Sequence, residues 1–190
     1  FLSRCLGLDV KDWLPLLEPV YAKLIERAEA QIQVPVHRDF HSRNLMLCSD
    51  GSLGVIDYQD ALFGPITYDL VSLLRDSYID WPHKQVEAWV EAYREQLINA
   101  GFDVPDANEF LKDFYLMGMQ RQLKVVGIFC RLWLRDGKQG YLKDIPRTFN
   151  YLHMAAAKYP EFAQLDIALS AMRPLLRAHP LLGQYFGDAD

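Results

Sequence analysis

Asp39, Asn44 and Asp57 stand out first: a carboxylate, an amide five residues later, and a second carboxylate eighteen after the first. Such a set suits phosphoryl transfer. That reaction asks a protein for one group to orient and deprotonate an attacking hydroxyl, and for oxygen ligands that hold magnesium against phosphate. Singly, Asp39 reads as a turn residue, Asn44 as a strand-edge cap and Asp57 as a strand terminus; their joint register carries the signal. His37-x-Asp39-x-His41 also has the outline of a metal-hydrolase cluster, but His83, His153 and His179 form no ligand-like pair to complete it.

The three residues need a scaffold. Gln33-Val34-Pro35-Val36 reads as a short extended entry to a polar loop. Asn44-Leu45-Met46-Leu47-Cys48 and Leu53-Gly54-Val55-Ile56-Asp57 read as two short strands. Ser49-Asp50-Gly51-Ser52 between them is a hairpin turn with Gly51 free to take positive φ. The hairpin brings Asn44 back beside Asp57, next to the loop carrying Asp39.

His37-Arg38-Asp39 followed by Asn44 resembles the catalytic loop of protein kinases, and Asp57 falls where their second magnesium aspartate falls. Tyr58-Gln59 departs from the Phe-Gly of protein kinases. With Gly64-Pro65-Ile66-Thr67-Tyr68-Asp69-Leu70 it resembles the aminoglycoside phosphotransferase and choline kinase superfamily, over roughly 36–70. Within it, the Ile56 to Ala61 run, Leu123 to Phe129 and Arg135 to Lys138 are similar to the anomeric N-acetylmuramate/N-acetylglucosamine kinases of bacterial cell-wall recycling.

The resemblance implies ATP and Mg2+ as cofactors, Asp39 as catalytic base and Asn44 and Asp57 as magnesium ligands. It implies Met46 and Ile56 as the apolar floor under adenine, His37 and Arg38 as loop scaffold, and Asp69 as the loop's anchor. Asp69 reads equally as an acid at a helix N-terminus. Arg43 and Asp60 could reach a bound sugar, and Arg121, Lys124 and Arg131 could meet a carboxylate. The expected reaction is transfer of the γ-phosphate to the anomeric hydroxyl of an amino sugar. Alternatives in the same superfamily are choline, homoserine or an aminoglycoside as acceptor. A non-catalytic kinase-like binding module would be expected to have lost Asp39, Asn44 or Asp57, and all three are present.

The chain has 190 residues, 51% of them apolar, enough for one sizeable core. Net charge of −5 argues against general nucleic-acid binding. Charge is uneven: from Lys112 to Arg147 eight basic residues face three acids, so that segment is +5 and the remainder −10. The segment reads as a solvated helix face or, alternatively, as a rim that favours an anionic acceptor over a polycation. No apolar run approaches membrane-span length, and Cys5, Cys48 and Cys130 are unpatterned, which fits a cytoplasmic protein with free thiols.

Helical spacing predicts a helix over about 10–30 with Asp9 as N-cap and a connecting loop over 58–66 with a turn at Gly64-Pro65. A short helix capped by Thr67 follows, then one opened by Asp80-Trp81-Pro82. A long central helix should run from an Asp106/Glu109 capping box to about Trp133, with two more at about 144–158 and 161–178. The expected fold is mainly α with one small β-hairpin, the C-terminal lobe of a protein-kinase-like fold, as one domain over 1–190. No glycine-rich loop, Walker sequence or Val-Ala-Ile-Lys-like lysine precedes residue 37, and the chain opens on Phe1. A fragment lacking the β-rich N-terminal lobe is therefore expected. That missing lobe would be its natural partner, and the fragment alone would turn over little.

Overall fold

The computed structural model describes Phe1–Gly187. Seven α-helices and four short strands follow in order: α1 (Leu2–Leu6), α2 (Leu14–Ala30), β1 (Gln33–Val36), β2 (Leu45–Leu47), β3 (Leu53–Val55), β4 (Leu62–Pro65), α3 (Tyr68–Leu74), α4 (His83–Asn99), α5 (Ala107–Asp136), α6 (Ile145–Lys158) and α7 (Ala163–Ala178). The mainly helical architecture with the β2–β3 hairpin is the expected one; β1 and β4 add a second two-stranded sheet. Backbone contacts divide the chain into two compact units, residues 1–24 with 119–190, and residues 25–118. The long helices α2 and α5 each contribute to both.

The unit formed by 25–118 carries both sheets. β2 pairs antiparallel with β3 (Leu45 opposite Val55, Leu47 opposite Leu53), and Gly51 closes the turn at φ 83°. The loop expected over 58–66 instead contains β4, which runs antiparallel to β1 with Gln33 opposite Pro65 and Val36 opposite Leu62. A two-stranded sheet has only edges, so Pro35 and Pro65 need not donate into a further ladder. Gly64 is required here by close approach: a Cβ would lie 2.8 Å from Val36 Cγ2.

Helical cores in this unit come from residues three and four apart, such as Val86 and Val90 on α4 and Phe110 and Phe114 on α5, all 1% exposed or less. The expected caps differ in detail. Asp106 Oδ1 accepts the N–H groups of Asn108 and Glu109, but Glu109 turns to Arg27 rather than completing a capping box. Arg27 also pairs with the buried Asp113. Thr67 stands at the N-cap of α3, yet its hydroxyl donates to Gln31 Oε1 at 2.7 Å. Of Asp80-Trp81-Pro82, Pro82 is the N-cap of α4, which begins at His83.

The other unit packs α6, α7 and the C-terminal part of α5. Asp9 caps a 3-10 turn at Val10–Asp12 through Lys11 N, and α2 proper begins at Leu14. α5 runs three residues beyond Trp133 and ends where Gly137 N and Lys138 N donate back to Trp133 O and Leu132 O. Leu165, Leu169, Met172 and Leu176 form the buried face of α7, opposite Phe149 and Leu152 of α6. Among the described residues no helix is long and apolar enough to cross a membrane.

His153 joins α6 to α7. Arg173 can only donate, so its bonds to His153 Nδ1 (2.9 and 3.3 Å) fix that nitrogen as an acceptor. The proton then lies on Nε2, between Ser170 Oγ at 3.0 Å and Asp166 Oδ1 at 2.9 Å. Burial and the Arg173 charge hold the imidazole below its ordinary range, against the pull of Asp166. A histidine depressed in the fold binds fewer protons than in the unfolded chain, so stability is whole above the unfolded value of about 6.5 and is lost as pH falls through it. Thermal unfolding followed by circular dichroism from about pH 7.5 to about pH 5 should show falling stability, with a shallower fall in His153→Gln.

Candidate active site

The first residues of the loop between β1 and β2 are held from outside by the Asp69 carboxylate. Asp69, in the first turn of α3, accepts the N–H of His37 at 2.6 Å and of Arg38 at 3.0 Å. Two successive N–H groups thus enclose an anion. Arg38 adopts φ 76°, a left-handed conformation that costs a non-glycine residue about 1–2 kcal/mol, which these bonds offset. Arg38 Nη1 adds a bond to the Asp60 carbonyl at 3.3 Å, and His37 Nε2 donates to the Ile56 carbonyl at 2.9 Å. The loop is thereby tied to both α3 and the end of β3.

Within that frame the three residues singled out in the sequence converge. Asn44 Nδ2 donates to the Asp39 carbonyl at 2.9 Å and lies 3.4 Å from Asp57 Oδ2. Asp57 has φ 68°, the other left-handed non-glycine residue among the described residues, and Gln59 Nε2 holds its Oδ1 at 2.6 Å. Asp39 is exposed, and among the described residues its carboxylate has no protein partner. Because both neighbours of Asn44 Nδ2 are acceptors, the amide is oriented and its Oδ1 has no bond among the described residues. Among the described residues no three His, Cys, Asp or Glu side chains gather as a metal site. The donor set is instead one amide oxygen and one carboxylate. That fits magnesium, which completes its shell with water and phosphate oxygens.

Antiparallel register places Met46, Gly54 and Ile56 on the hairpin face that carries Asn44, with Met46 51% and Ile56 47% exposed. Tyr58, next to Asp57, is exposed as well. Arg43 lies in the same 3-10 turn as Asn44, with its guanidinium carbon 3.4 Å from the Tyr78 ring centroid. Asp60 is exposed, two residues before β4. Arg121, Lys124 and Arg131 belong to the other compact unit, where helical spacing puts them on one face of α5.

Two residues of this site were not read from the sequence. Gln59 steadies Asp57. Asp76, 3% exposed, accepts Ser42 N at 3.2 Å, Ser42 Oγ at 2.7 Å and Tyr78 N at 3.0 Å. A signal existed for Asp76: an acid directly after the C-terminus of a helix opposes the helix dipole and so asks for a partner elsewhere.

Residues 4–108 match the family model described as the phosphotransferase enzyme family, and the chain belongs to that family. Among curated proteins it is similar to the N-acetylmuramate/N-acetylglucosamine kinase of Pseudomonas aeruginosa, 43% identical over 174 residues, covering 90% of this chain and 51% of that protein. Proteins of the same name from Neisseria meningitidis serogroup B (54% over 137 residues, 72% of this chain and 41% of the relative) and Pseudomonas putida (41% over 184 residues, 94% and 53%) are also similar. The chain spans about half the length of the curated relatives it matches.

Proposed function

We propose that this chain is the catalytic-loop half of an ATP-dependent kinase that phosphorylates the anomeric hydroxyl of N-acetylmuramate or N-acetylglucosamine. The observation that carries the reading is the convergence of Asn44 on the Asp39 carbonyl and the Asp57 carboxylate, in a member of the phosphotransferase enzyme family. Asp39 accepts the proton of the attacking hydroxyl; its carboxylate is exposed and uncommitted. Asn44 Oδ1 and the Asp57 carboxylate would hold magnesium. When bound, magnesium and ATP supply the phosphoryl group and neutralise charge developing on it. Met46 and Ile56 provide apolar surface for adenine, and Asp69 with His37 and Arg38 keeps Asp39 in place.

The sugar assignment leans on the names of the relatives and on the charge pattern. A basic excess from Lys112 to Arg147 suits an anionic acceptor and opposes an aminoglycoside. Asp60, in the same compact unit as Asp39, Asn44 and Asp57, is a candidate for contact with the acceptor. The length of the relatives that this chain does not span is where we place the phosphate-covering loop and its lysine. The test therefore uses the complete reading frame. Phosphorus NMR with N-acetylmuramate, N-acetylglucosamine, choline, homoserine and kanamycin should give a new anomeric phosphate with the two amino sugars. Product only with another alcohol would reassign the acceptor, and no product with any would overturn the reading.

A further inference from the structure

Arg43 is the cation of this site with no charge to answer it. Arg27, Arg94 and Arg135 all pair with carboxylates. Arg43 makes no hydrogen bond or ion pair among the described residues; its recorded contact is the face of Tyr78. The nearby carboxylate that could have paired with it, Asp76, is already engaged. One oxygen of Asp76 accepts both Ser42 N–H and Ser42 O–H, and the other accepts Tyr78 N–H. The same buried group therefore fixes the residue before Arg43 and the residue beneath it. His41 braces the far side of the arrangement, edge-on to the Tyr78 ring at 5.8 Å.

Such a device has a cost and a use. Arginine loses much rotamer freedom when it binds a ligand, and stacking on an aromatic face removes that loss beforehand. The guanidinium then presents a fork of donors suited to a carboxylate, one residue from the magnesium ligand Asn44. N-acetylmuramate differs from N-acetylglucosamine by a lactyl ether that ends in a carboxylate. We infer that Arg43, held over Tyr78 by the Asp76 clamp, reads that carboxylate and sets preference for the acidic sugar. The inference rests on the amino-sugar kinase reading above. Tyr78 and Asp76 act through Arg43 and are positioning residues.

The test is kcat/KM for both sugars at saturating magnesium-ATP, measured on the complete reading frame. In Arg43→Gln the ratio of N-acetylmuramate to N-acetylglucosamine should fall about tenfold or more, the loss expected for one charge-assisted contact. Tyr78→Leu should lower the ratio in the same direction, and Tyr78→Phe, which keeps the ring, should restore it. A ratio held within about twofold in Arg43→Gln would overturn the inference. If both sugars then fall together and KM for magnesium-ATP rises, the guanidinium serves phosphate instead. No transfer to either sugar by the unmodified protein would remove the underlying kinase reading, and this inference with it.

Discussion

In the complete reading frame, if Asp39 is the general base proposed above, Asp39→Asn is expected to lower kcat for sugar phosphorylation by about 10²–10⁴-fold while leaving the fold intact, because removal of a general base costs that much. The two effects separate cleanly at this position. The Asp39 carboxylate is exposed and has no protein partner among the described residues, so asparagine deprives the structure of nothing. What ties residue 39 into the site is its carbonyl, which accepts from Asn44 Nδ2 and from His41 N, and asparagine keeps that carbonyl. Stability should therefore move by less than about 0.5 kcal/mol, as for other exposed substitutions. KM for magnesium-ATP should change little, since Asn44 and Asp57 are untouched. Initial rates and a thermal melt on the same preparation check both statements. A kcat within about tenfold of the parent would take the proton-accepting role away from Asp39.

The part of the site that could be read in the sequence is the part fixed by local geometry. Asn44 and Asp57 had to meet because the short connection over 48–52 joins their strands, and the antiparallel register follows from the turn. Asp39 lies five residues from Asn44, within one loop. What escaped reading depends on partners 26 or more residues away. β4 hides in Leu62-Phe63-Gly64-Pro65, whose Gly-Pro pair reads as a turn, and only pairing with β1 makes it a strand. Thr67 has the side chain of an N-cap but finds Gln31, thirty-six residues back, a better acceptor in a buried setting. Asp76 and Tyr78 follow a helix end where nothing local announces a link to Ser42 or Arg43. The division into two compact units was likewise invisible, because the apolar stripe of α5 runs on across it without a break.

Asp69 was the residue with two equal readings, and magnitudes now separate them. An acid that merely complements the dipole of α3 contributes about 0.3–1 kcal/mol, and its loss would leave catalysis alone. An acid that accepts two loop N–H groups contributes more, since a hydrogen bond to a charged group is worth about 1.5–3 kcal/mol. Asp69 makes two, at 2.6 and 3.0 Å, to His37 and Arg38, and they also sustain the left-handed backbone of Arg38. Asp69→Ala is accordingly expected to cost about 3 kcal/mol of stability and to lower kcat by about 10²-fold, the penalty for displacing a reacting group by about an ångström. Asp69→Asn keeps one acceptor oxygen but turns an NH2 group toward the second N–H, so it should recover only part of either loss. Urea unfolding alongside initial rates distinguishes the accounts. Both quantities falling together identifies Asp69 as the anchor of the catalytic loop. A loss under about 1 kcal/mol with unchanged kcat returns it to an ordinary helix-terminal acid, and His37 and Arg38 would then owe their conformation to the Ile56 and Asp60 carbonyls alone.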